Sequence, residues 1–221
     1  EDLVRTAGSR HTSLRLALQL VNRAGPANQV QLSAFCDAVR SCADKVPAVA
    51  NCPDIHAALA AAKLLERFCA EVDVAIGVNI VARGGPFSGT KIRALAEAAG
   101  FKPEPDGVFH YRSEAKQTLF TLDNHEPAPF IPEQIKSLST TGITLLMDVP
   151  RVADGLRVLD RMLEVGRNFA GALDGILVDD NRVALNEAGI GKIKQQLREI
   201  HAAMDERQVG AGSERALRLF S

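Results

Sequence analysis

The sequence predicts an α+β domain in which antiparallel strands carry helices on one face. Three observations predict it. Apolar and polar residues alternate with period two over Val74–Ala82, Thr118–Asn124 and Ile143–Val149. Apolar stripes at helical spacing run through the segments around Ile92 and after Asn186, and two adjacent ones run from Val152 to Leu173. Val108–Arg112 and Thr118–Asn124 face each other across a short polar turn, the pattern of a hairpin.

Residues 1–13 are polar without a period and read as the end of a linker. From Leu14 to Val21 the leucines at 14, 16, 18 and 20 alternate with Arg15, Ala17 and Gln19, which predicts a half-buried strand. A turn at Ala24-Gly25-Pro26 follows. The stripe Leu32, Phe35, Val39, Cys42, Val46 then predicts a helix stopped by Pro47. Asp54 is the expected N-cap of a second helix, with Ile55, Leu59, Ala62, Leu65, Cys69 and Val72 on its inner side. The strand Val74–Ala82 runs into Arg83-Gly84-Gly85-Pro86 and a helix over 89–99, closed by Gly100 as a C-cap. After the hairpin and the strand Ile143–Val149, a helix spans about Val152 to Leu173 with a wide apolar face. Gly175–Val178 and Arg182–Leu185 flank the turn Asp179-Asp180-Asn181. Asn186 caps a last helix over 187–206, and Gly210-Ala211-Gly212-Ser213 opens a flexible tail, 209–221.

Leu20–Pro26 and Ile80–Pro86 echo each other at an offset of 60 residues, each as strand, Gly-Pro turn and helix. The echo suggests a duplicated unit. Residues 14–72 are accordingly expected to form an accessory β-α-α unit packed on a main domain over 73–208.

Composition narrows the function. With 26 Lys plus Arg against 27 Asp plus Glu and a formal charge of −1, the 221-residue chain lacks the basic excess of a nucleic-acid binder. One Tyr and no Trp leave little for base stacking. Cys36, Cys42, Cys52 and Cys69 form no C-x-x-C pair and suit buried thiols in a reducing compartment. No apolar run approaches the roughly 20 residues of a membrane span. No signal-peptide pattern opens the chain, and a start at Glu1 rather than Met reads as a fragment. No cofactor or metal is called for.

Gly84-Gly85-Pro86-Phe87-Ser88-Gly89 sits where a phosphate cradle would, but it lacks the Lys-Ser/Thr ending, and Pro86 removes a donor. A strand-to-helix turn accounts for it. Asp179-Asp180-Asn181 is turn chemistry before it is a metal site. His110, Asp123 and His125 could serve acid–base chemistry, though no nucleophile accompanies them and exposed polar positions on a sheet face explain them as well.

A series of blocks from about Val74 to Arg207 resembles the C-terminal domain of the bacterial cell-division protein ZipA. The blocks are Asn79-Ile80-Val81-Ala82 with its Gly turn, Ala98-Ala99-Gly100-Phe101, Val108-Phe109-His110, Leu119–Asn124, Phe130, Thr140–Pro150 and Gly175–Arg182. Glu1 to Val72 lie outside the resemblance. It implies a six-stranded antiparallel sheet with three helices on one face and the other face open. It also implies a non-enzymatic role: that face would take up the C-terminal tail of the tubulin-like protein FtsZ in a shallow apolar groove. Family members tether the division ring to the cytoplasmic side of the inner membrane. The membrane would be reached only through an anchor absent from this chain.

Strand alternation locates the open face. Ile76, Val78, Ile80, Phe109, Tyr111, Phe120, Leu122, Leu145 and Met147 should turn to the helices. Ala75, Gly77, Asn79, Val108, His110, Thr121, Asp123, His125, Thr144, Leu146 and Asp148 should turn away. The expected partner-binding residues are Ala75, Gly77, Val108, Asp123, His125, Thr144 and Leu146. Asp123 and His125 stand where the family groove is apolar, which implies a weaker or more polar version of it. Two other readings stay open: a small-ligand or hydrolytic enzyme on His110, Asp123 and His125, and a structural module whose N-terminal segment covers the sheet. Convergence of those three side chains in a closed pocket would favour the enzyme.

Overall fold

The computed structural model describes residues 12–46 and 48–221. The linker end expected over 1–13 lies, up to His11, outside the described residues, as does the helix stop at Pro47. In chain order the elements are β1 (Val21–Asn22), β2 (Gly25–Pro26), α1 (Gln29–Lys45), α2 (Ile55–Val72), β3 (Ala75–Ala82), β4 (Phe87–Ser88), α3 (Gly89–Ala99), β5 (Lys102–Pro103), β6 (Phe109–Arg112), β7 (Thr118–Asn124), β8 (Ser139–Thr140) and β9 (Gly142–Asp148). A 3-10 turn (Val149–Arg151), α4 (Gly155–Leu173), β10 (Gly175–Val178), α5 (Glu187–Glu206) and α6 (Glu214–Leu219) complete the chain. It divides into two compact units, one ending at Phe68 and one starting at Cys69.

In the first unit Asn28 and Gln31 form a reciprocal capping box at the start of α1, which satisfies two otherwise orphaned backbone donors. Of the predicted α1 stripe Leu32 is buried, Phe35 and Val39 are half-buried and Cys42 and Val46 are exposed, while Cys36, outside the stripe, is buried. Asp54 Oδ1 accepts from Ala57 N at 2.8 Å, so the N-cap predicted for α2 is made. The strand predicted over Leu14–Val21 is corrected. Among the described residues, 13–20 join no ladder, and β1 pairs with β2 alone across the Gly25 turn. Leu14 and Leu16 remain 56% and 51% exposed. Alternation marks a chain that could lie in a sheet; a strand forms only where a second strand takes up its N–H and C=O groups. The β-α-α order expected of this unit therefore holds, with its strand reduced to Val21–Asn22.

The second unit holds a six-stranded sheet in the order β10-β3-β9-β7-β6-β5, with every neighbouring pair antiparallel. Its inner face is the one alternation predicts. Val78, Ile80, Phe109, Phe120, Leu122, Ile143, Leu145 and Met147 are buried with Ile92 and Ala96 of α3, the stripe of α4, and Ile190 and Leu197 of α5. The fold is thus α+β, an antiparallel sheet with helices on one face. At the end of α3, Gly100 takes φ 96° and its N–H closes on Ala96 O and Glu97 O. That left-handed position suits a residue without Cβ.

Three details depart from expectation. The helix predicted from Val152 begins at Gly155, because the 3-10 turn around Pro150 and a left-handed Asp154 (φ 51°) precede it. Arg182–Leu185 makes only one bridge, Val178 to Ala184, since Asp179 Oδ1 caps Asn181 N and Val183 N and curls the chain. Residues 209–221 are no flexible tail. Ser213 caps α6, Ala216 and Phe220 are buried, and Arg151 Nη1 donates to Phe220 O at 2.8 Å. The glycines that suggested release are a turn, with Gly212 N bonded to Pro150 O.

Candidate partner-binding site

The outer face of the sheet is open, with Ala75, His125 and Leu146 exposed on it. Directly opposed residues on neighbouring strands point to the same face, so the register writes the surface out in rows. One row runs Gly77, Leu146, Thr121, His110. The next runs Val178, Asn79, Thr144, Asp123. A third holds Ile176, Val81 and Gly142, with His125 N bonded to Gly142 O. Ala75 opposes Asp148. Ala75, Gly77, Asp123, Thr144 and Leu146 therefore share one face and His125 continues it beside Gly142, while Val108 precedes β6 and lies in none of these rows.

Leu146 is the large apolar side chain of this sheet that stays 38% exposed. It lies on the central strand β9 between two small neighbours, Thr121 and Gly77, with the Asp180 carboxylate lying over Gly77. A polar chain crosses the adjacent row. Thr144 Oγ1 donates to Asn79 Oδ1 at 2.6 Å, and Asn79 Nδ2 donates to Asp180 Oδ1 at 3.0 Å. Asn79 is buried, and this chain satisfies its amide. Asp180, read from sequence only as a turn residue, thus reaches onto the outer face.

Asp123 is half-buried and receives one side-chain hydrogen bond, from Thr121 Oγ1 to Oδ2 at 3.1 Å. Loss of solvent around it pushes its carboxyl above the usual range; the Thr121 bond opposes this and the nearby Asp106 charge adds to it. His110 is occupied elsewhere: Nε2 meets Asp106 Oδ2 at 2.9 Å and Nδ1 meets Thr118 Oγ1 at 3.1 Å. Sequence reasoning missed Asp106. Its signal was its i, i+4 spacing from His110 across the Gly107 turn.

His110, Asp123 and His125 do not converge. His110 opposes Thr121 and His125 lies beside Gly142, so their rows are four residues apart along β7, about 13 Å. They are spread along an open sheet, which is the arrangement of a docking face and not of an acid–base centre. Among the described residues no group of three or more His, Cys, Asp or Glu side chains could hold a metal ion. No described helix is long and apolar enough to cross a membrane.

The family described as the ZipA C-terminal FtsZ-binding domain matches residues 74–196. The cell division protein ZipA of Marinobacter nauticus is 32% identical over 128 residues, covering 55% of this chain and 38% of that protein. The chain thus spans well under half the length of this curated relative. The matched segment starts at β3 and ends inside α5, so it contains every strand of the six-stranded sheet.

Proposed function

The chain belongs to the family of the ZipA C-terminal FtsZ-binding domain, and from that premise we propose that the open face of its sheet binds the C-terminal tail of FtsZ. The observation that carries this reading is Leu146, an exposed leucine at the middle of the open sheet face, flanked by Gly77 and Thr121. Tail binding would use Ala75, Gly77, Val108, Thr144 and Leu146 for contact, with Asp123 and His125 at the rim. Burying about 300 Å² of apolar surface contributes roughly 7 kcal/mol before the costs of ordering the tail. Residues 73–208 carry the function, and residues 14–72 are an accessory unit. The module is a non-enzymatic binding domain that helps hold the division ring to the cytoplasmic side of the inner membrane.

A titration with a synthetic peptide of the FtsZ C-terminal tail tests the reading. The chain should bind the peptide. Leu146→Asp should weaken binding by more than about tenfold, because a carboxylate then faces the apolar anchor, while the melting temperature stays nearly unchanged at an exposed position. Equal affinity in the variant would move the site away from Leu146, and a chain that binds no tail peptide would end the proposal.

A further inference from the structure

We infer that Asp123 is the receptor for a cationic side chain, Lys or Arg, on the FtsZ tail; this rests on the tail-binding reading above. Three observations lead to it. Asp123 stands on the outer face opposite Thr144, one register row from Leu146. Two residues along a strand is about 7 Å, so a tail that seats an apolar side chain on Leu146 brings a neighbouring side chain over Asp123. That neighbour is two residues away in an extended tail, or three to four in a helical one.

The carboxylate is also under-satisfied. An ionised carboxylate offers about four acceptor sites, and a hydroxyl of its own strand fills one of them. Two aspartates nearby are better served: Asp106 is held by His110 and the Val108 N–H, and Asp179 by the N–H groups of Asn181 and Val183. Among the described residues no Lys or Arg pairs with Asp123. A half-desolvated charge without a counter-charge costs the free domain stability. A cation delivered by the partner removes that cost, and Arg can do so through two parallel hydrogen bonds.

The local field has the matching sign. Asp106 lies close enough to Asp123 to act on its charge, and Asp180 sits at the far end of the polar chain through Thr144 and Asn79. His110 opposes them but already faces Asp106. A tail whose cation reaches this row meets net negative charge, while one carrying a carboxylate there is repelled. The polar residue in the groove is therefore a specificity determinant for the tail.

The test uses calorimetric titration of the full 221-residue chain with a synthetic FtsZ-tail peptide, at two salt concentrations. Asp123→Asn keeps the shape and removes the charge. It should weaken binding about five- to tenfold and flatten the salt dependence. Replacing one particular Lys or Arg of the peptide with Gln should weaken binding to the parent chain by the same factor and have little further effect on Asp123→Asn. A melting curve of each variant shows that it is folded. If Asp123→Asn binds as tightly as the parent while Leu146→Asp still weakens binding, the tail docks without a cation contact and the inference falls alone. If the parent chain binds no tail peptide, the tail-binding reading falls and takes the inference with it.

Discussion

The carboxylate of Asp180 occupies the space that a side chain at Gly77 would need. Asp180 Oδ1 lies 3.0 Å from the position of a Cβ built on Gly77, and the same oxygen accepts from Asn79 Nδ2. A turn residue and a strand glycine 103 positions apart in the chain (180 less 77) therefore share one notch beside Leu146.

Asp180→Ala leaves the buried Asn79 amide without its acceptor and should cost about 1–2 kcal/mol in urea denaturation. Gly77→Ala crowds the same carboxylate and strains the same bond. The two costs should not add: the double variant should be no less stable than Asp180→Ala alone. Additive losses would mean that the two positions act independently.

Asp123 should destabilise the free domain at neutral pH. Its carboxyl is raised by loss of solvent, so the folded state holds the proton more firmly than the unfolded state does. Its contribution is favourable below the ordinary carboxyl value of 3.8 and is lost as pH rises through the raised value. Asp123→Asn should thus melt higher than the parent at pH 7, and the difference should shrink towards pH 3. An unchanged or lower melting temperature at pH 7 would contradict the assignment.

His201 gives the opposite dependence. It lies in a depression of about 750 Å³ formed with Ala153, Asp154, Gly155, Asp205 and Gly210, and its Nε2 is buried with no hydrogen-bond partner among the described residues. Loss of solvent lowers its affinity for a proton, only partly countered by Asp205 and Asp154. The folded state resists protonation where the unfolded state accepts it, so stability present above the ordinary value of 6.5 is lost as pH falls through the lowered one. Urea denaturation at pH 7 and pH 5 should show a smaller loss for His201→Gln than for the parent. Equal losses would place the acid sensitivity elsewhere.

Phe220 is the second-last residue and is 1% exposed. Phe220→Ala should cost about 3 kcal/mol by denaturant titration, as a buried aromatic truncation does. A loss under about 0.5 kcal/mol, usual for surface sites, would restore the flexible-tail reading.

Much of this protein was legible in its sequence because the deciding signals are local. The facing of Val78 against Gly77, of Leu122 against Asp123 and of Leu145 against Leu146 follows from period two alone. The bounds of α3 and α5 follow from Gly100 and Asn186, since a cap acts within one turn of its helix. Alternation also placed the docking-face candidates on one side before any strand order was known. What only the tertiary structure decided are the relationships between distant segments. Leu14 to Leu20 alternate as cleanly as β9 but lack a ladder partner, and periodicity cannot report whether one arrives. Gly210 to Ser213 reads as release until Pro150 takes up the Gly212 N–H and Phe220 becomes buried. Asp180 reads as a turn until the sheet order brings β10 beside β3 and carries its carboxylate to Asn79. Period and capping are properties of a few consecutive residues, whereas ladders, burial and long-range polar contacts exist only once the chain has chosen its neighbours.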